Sequence, residues 1–109
     1  MWLFTFSGFV SIVQDRDNTD NLLVRARVRE HLQALFPKVA ISVTPDADYG
    51  FRATVNRKIV AKVVTDQVNA IDYTNFKDTV VDPDYHSACL RVWSTMHQLQ
   101  VQRGDDRCE

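Results

Sequence analysis

The clearest pattern in the chain is LLVRARVR at residues 22–29, where apolar and basic positions alternate. Val24, Ala26 and Val28 point one way and Arg25, Arg27 and Arg29 the other, which is the period of a β-strand. A helix would scatter the same arginines around its circumference. Around Arg29 the period lengthens. Leu32, Leu35 and Phe36 then share a helical face that ends before Pro37. Residues 1–6 alternate as well, with Trp2, Phe4 and Phe6 on one side, and residues 9–14 read as a second strand. Ser7-Gly8 between them is a turn dipeptide, so the pair is expected to form a hairpin.

DRDNTDN at 15–21 and TPDADYG at 44–50 are turn-rich loops. Residues 39–43 are apolar and read as a strand or an extended connection. At 51–56 Phe51, Ala53 and Val55 alternate with Arg52, Thr54 and Asn56. Asn56 is a fitting N-cap for a helix whose apolar stripe is Val60, Val63, Val64, Val68 and Ile71. Residues 72–81 form a loop or short helix. Asp82-Pro83 then starts a helix that runs to about Gln102. Its stripe is Tyr85, Ala88, Cys89, Val92, Trp93, Met96 and Leu99. Trp2 and Trp93 are expected in the core, with Trp93 against the strand that carries Trp2, Phe4 and Phe6.

Early strands and late helices predict an α+β fold: an antiparallel sheet of three to five strands with two or three helices packed on one face. The other face would be solvated or used for binding. Residues 1–103 are expected to form a single α+β domain, and 104–109 a frayed C-terminal tail.

Composition narrows the function classes without choosing one. The 109 residues are 45% hydrophobic and 25% charged, as in an ordinary globular protein. The formal net charge of −1 excludes a broadly basic nucleic-acid binder but not a local basic patch. Residues 1–62 hold nine basic and six acidic groups, net +3, and residues 63–109 four and eight, net −4. The first thirteen residues are apolar-rich, but no Lys or Arg precedes them and no small-residue cleavage site closes them, unlike a signal peptide. No membrane span is expected. Cys89 and Cys108 read as thiols in a reducing cytoplasm.

Three groups carry candidate chemistry. Arg25, Arg27 and Arg29 on one strand, with Arg52 on another, would gather guanidinium forks suited to phosphate or carboxylate oxygens. The plain alternative is a solvated face whose arginines pair with nearby aspartates. The second group, at 72–78, holds Asp72, Tyr73, Asn75, Phe76, Lys77 and Asp78. Tyr73 or Phe76 could stack on a base, Asn75 bond its edge and Lys77 bind its charge; equally, Phe76 and Tyr73 could plug a core. The third, Asp46 and Asp48 beside Tyr49, could hold Mg²⁺ or move protons, though a turn accounts for it as well. His86 and Cys89 are three apart and could touch on a helix, but Cys89 falls on the apolar stripe, where thiols are inert. His86 and His97 lie too far apart for joint metal ligation. No metal site and no cofactor is expected.

Taken together, MWLFTFSGFVSIV, LLVRARVR, DYGFRATV, IDYTNFKD and a late RVW resemble a family of small bacterial proteins without assigned function. The resemblance spans residues 2 to about 93. It implies that Arg25, Arg27, Asp48, Tyr49, Arg52, Asp72, Tyr73, Asn75 and Lys77 belong to one recurring pattern, and these are taken as the ligand-binding set. It carries no mechanism. Such small proteins are also carried by phages, where they inhibit or sequester host defence components.

The leading expectation is a non-enzymatic binding protein for an anionic ligand, a nucleotide or phosphodiester. The ligand would lie on the Arg25/Arg27/Arg52 face under the 72–78 loop. A protein-interaction or inhibitor module is the first alternative. The second is a small phosphodiesterase or hydrolase, with Asp48, Asp72 or His31 moving protons. An exposed sheet edge would make a homodimer easy.

Overall fold

The computed structural model describes residues 1–104. Five strands form one antiparallel sheet: β1 Trp2–Thr5, β2 Gly8–Gln14, β3 Asn21–Ala26, β4 Ser42–Val43 and β5 Phe51–Asn56. Their order across the sheet is β1-β2-β3-β5-β4. Helix α1 spans Arg29–Leu35, α2 Arg57–Asn69 and α3 Pro83–Arg103, and a short 3₁₀ helix covers Phe76–Thr79. The fold is α+β, as the distribution of periods along the chain predicts. Among the described residues no helix is long and apolar enough to cross a membrane.

The chain forms two compact units, Met1–Asp72 and the residues from Tyr73 onward. The first contains the whole sheet. Val10, Ile12, Val24, Ala26, Ala53 and Val55 from one sheet face are buried together with Leu32 and Leu35 of α1, with Phe36 just after α1, and with Val60 of α2. Val63 and Val64 pack against the edge of this cluster, whereas Val68 and Ile71, expected on the same stripe, are more than half exposed. Helix α2 ends at Asn69, so Ile71 is no longer on it.

Local signals explain the element boundaries. Asn56 caps α2 through its side chain, which accepts from the Lys58 N–H at 2.9 Å. Asp82 caps α3 in the same way, accepting from Tyr85 N at 3.0 Å, with Pro83 in the first turn. Helix α1 has no side-chain cap at its preceding Val28. It is held instead by Leu32 and Leu35, buried against the sheet.

The hairpin between β1 and β2 forms, but its turn is shifted from Ser7-Gly8. Thr5 pairs with Gly8, so Phe6 and Ser7 make the turn and Gly8 begins β2. The Thr5 hydroxyl organises it, donating to the Gly8 carbonyl and accepting from the Ser7 and Gly8 N–H groups. Phe6 therefore leaves the strand alternation and is about half exposed.

Register also corrects the expected core. Leu3 stands opposite Val10 on the helix-covered side, while Trp2 and Phe4 stand opposite Ser11 and Phe9 on the other. Trp2 is 70% exposed. Aromatic content favours burial, but pleat alternation admits only one of the two residue sets to the covered face, and Val10 and Ile12 fix which.

In the second unit, Tyr85, Cys89 and Val80 are buried, yet Val92, Trp93, Met96 and Leu99 of α3 are exposed. Trp93 is thus not the buried anchor that its place on the stripe suggested. The Trp93 ring stacks on His97 and takes the Lys77 ammonium 4.6 Å from its centre. Cys108 and most of the expected tail lie outside the described residues.

Candidate anion-binding site

The sheet face away from α1 and α2 carries the arginines. Register places Trp2, Ser11, Arg25, Arg52 and Ser42 in one row across all five strands. Arg25 and Arg52 are directly opposite each other on β3 and β5. Like charges facing across a strand pair are destabilising unless something compensates, so their partners are informative.

Arg25 donates from Nη2 to the Ser11 hydroxyl at 2.8 Å, while its Nε is buried and finds no partner. Arg52 donates from Nε to the Tyr49 carbonyl at 3.2 Å and from Nη2 to Asp48 Oδ1 at 3.4 Å. Arg27 follows β3 and donates from Nε to the Asp48 carbonyl at 3.1 Å. The guanidinium carbons of Arg25 and Arg27 lie 4.6 and 4.2 Å from the centre of the Tyr49 ring. Tyr49 is only 4% exposed.

Three cations thus converge on the dipeptide Asp48-Tyr49. They are met by two carbonyls, one aromatic ring and one carboxylate, and that carboxylate is largely exposed. The 44–50 loop is shaped to present these groups: Thr44 N donates to Gly50 O, and Tyr49 N to its neighbour's Asp48 Oδ1. A cleft of about 380 Å³ opens beside it, with Arg27 and Asp48 at its polar side and Val43, Pro45 and Phe51 as apolar walls. Among the described residues the terminal nitrogens of Arg27 have no hydrogen-bond partner. Arg27 thus presents an open guanidinium fork at the wall of a shallow, solvent-open cleft.

Arg29 does not join the group. It opens α1, and its guanidinium lies 5.5 Å from the Phe51 ring centre. The strand period ends at Ala26, so the third arginine of the sequence row turns with the helix.

The remaining candidates are each described within their own unit. Asp72 is exposed at the end of the first unit. Tyr73, Asn75 and Lys77 belong to the second. There Tyr73 contacts Phe76 with centroids 6.1 Å apart, and Asn75 Oδ1 caps the 3₁₀ helix by accepting from Lys77 N at 3.1 Å. Lys77 is engaged over Trp93. These are structural uses of the side chains expected to read a base.

His31 is positioned on α1 with Nδ1 accepting from the Phe9 N–H at 3.1 Å. Among the described residues no group of three His, Cys, Asp or Glu side chains could hold a metal ion. The Cys89 thiol is buried, and desolvation raises its pKa above the ordinary 9.0, partly opposed by a hydrogen bond with Tyr85. A thiol in that setting is a poor nucleophile.

Strand alternation brings Arg25 and Arg27 to one face, with Arg52 on another strand; Asp48 and Tyr49 join the same expected set through the resemblance, while their own residue types suggest only an acidic pair beside an aromatic. The signal that Tyr49 belongs with the arginines is weak: a lone aromatic in a polar loop just before the Arg52 strand. Comparisons with family models, curated proteins and solved structures found no match. The chemistry of the site is therefore read from its geometry.

Proposed function

We propose that the protein binds a small anionic ligand, a nucleotide or phosphodiester, at the Arg25/Arg27/Arg52 cluster without transforming it. One observation carries this reading: three guanidinium groups gather on the sheet, two of them directly opposed, against a single carboxylate. An incoming anion would relieve that repulsion and occupy the open fork of Arg27. The apolar walls of the adjacent cleft suit a base or sugar. The 72–78 loop has no part in this version of the site.

Isothermal titration with inorganic pyrophosphate and with AMP tests the proposal. Binding should weaken with added salt and fall at least tenfold in Arg27→Ala, whose side chain is exposed and whose loss leaves the core intact. Absence of binding to either anion at millimolar concentration would overturn it.

The exposed apolar residues of α3, Trp93 and Met96 among them, favour a second reading as a protein-interaction module. Recovery of one stoichiometric protein partner, together with no anion binding, would support that alternative.

A further inference from the structure

The sheet face that bears the arginines is not uniformly charged. Toward β1 it becomes aromatic. The row that contains Arg25 and Arg52 begins, two strands away, with Trp2. The neighbouring row pairs Phe4 with Phe9, and extending the β2–β3 register by two residues brings Phe9 opposite Arg27. Two adjacent rows therefore run from aromatic to cationic across the same face. Strand spacing sets Trp2 and Arg25 about 10 Å apart across the sheet.

The aromatic end is built rather than incidental. Phe4 and Phe9 stack with centroids 4.5 Å apart, and Phe9 meets Trp2 edge-on at 6.2 Å. This contact steadies Trp2, while 70% of that residue remains exposed. A large indole held in place on a strand and open to solvent is a stacking platform.

We infer that this face binds single-stranded nucleic acid, with a base stacked on Trp2 and backbone phosphates on Arg25, Arg27 and Arg52. The inference rests on the anion-binding reading and names its ligand class. Its own ground is the pairing of aromatic and cationic groups in consecutive rows. A repeating ligand, in which bases and phosphates alternate, matches a repeating surface. Stacking accepts any base and the arginines accept any phosphate, so binding should be tolerant of sequence. A duplex hides its base faces and cannot use Trp2.

The test is fluorescence anisotropy with labelled oligo(dT) and oligo(rU) of four, eight and twelve nucleotides, competed by AMP and by a duplex of the same length. Binding should tighten from the mononucleotide to the short oligomers, and the duplex should compete poorly. Trp2→Ala should weaken oligomer binding by about ten- to a hundredfold, leave pyrophosphate binding unchanged, and be rescued in large part by Trp2→Phe. Arg27→Ala should lower the salt dependence by about one phosphate contact. Equal affinity for AMP and oligomers, equal competition by duplex, or indifference to Trp2→Ala would each overturn the inference while the anion site stands. Failure of both pyrophosphate and oligomers to bind would overturn both.

Discussion

The imidazole of His31 lies directly on the α-carbon of Gly8. A side-chain carbon added at Gly8 would fall within 3.0 Å of Cβ, Cγ and Cδ2 of that residue. The same ring accepts the Phe9 N–H. The contact joins the start of β2 to the first turn of α1. Gly8→Ala should therefore destabilise the protein by about 1–3 kcal/mol, read as a lower urea midpoint. Adding His31→Ala should recover part of the loss, because the clash disappears. Strictly additive effects would show that the two residues do not press on each other.

Anion binding should stabilise the fold by mass action. At a hundredfold excess over Kd the gain is about 2.7 kcal/mol, or a rise of several degrees in Tm on pyrophosphate addition. Arg27→Ala should abolish that rise. Its own effect on stability should be small, about 1 kcal/mol, since the side chain contributes one hydrogen bond, from Nε to the Asp48 carbonyl, and one contact over the Tyr49 ring. Arg52→Ala is expected to differ, because Arg52 holds the 44–50 loop through both Asp48 and Tyr49. A destabilised Arg27→Ala that still responds to pyrophosphate would contradict this division of roles.

Asn56 and Asp82 each satisfy a backbone N–H at the start of a helix. Asn56→Ala and Asp82→Ala should each cost about 1 kcal/mol in helix or protein stability. Chemical denaturation followed by far-ultraviolet circular dichroism checks both. A smaller effect of Asn56→Gly than of Asn56→Ala would be consistent with a cap rather than a tertiary contact.

The Cys89 thiol is kept neutral by burial, its pKa raised in the folded chain. The unfolded thiol releases its proton first as pH rises, so the folded state then holds more protons. The stability contributed by the neutral thiol is thus full below about pH 9 and is lost as pH rises through the folded value. In a Cys108→Ser background, the remaining thiol should react slowly with a disulfide reagent at neutral pH and quickly in denaturant. Alkaline destabilisation should be reduced in Cys89→Ala when each variant is compared with its own stability at pH 7.

The sequence could be read most directly where one side chain acts on its own backbone. Asn56 and Asp82 cap because a short polar side chain reaches the N–H two or three residues on, and neighbours in sequence suffice to show it. The alternation of β3 was equally plain and brought Arg25 to one face. The lid expected from residues 72–78 is a different matter. Asn75 had the right chemistry but is itself a cap of this local kind, accepting from the Lys77 N–H, and Lys77 lies over the Trp93 ring, a partner distant in sequence that a linear reading does not reveal.

Periodicity decided by itself which residues share a side of a strand or helix. It could not decide which side is covered, because that depends on the register between strands distant in sequence. The pairing of Leu3 with Val10 turned Trp2 outward, and β5 set Arg52 against Arg25. The fold-back of the 44–50 loop brought the Tyr49 ring beneath two guanidinium groups. Such placements arise from packing and long-range hydrogen bonds, whose energies depend on distances in space, and a pattern along the chain carries no such distances.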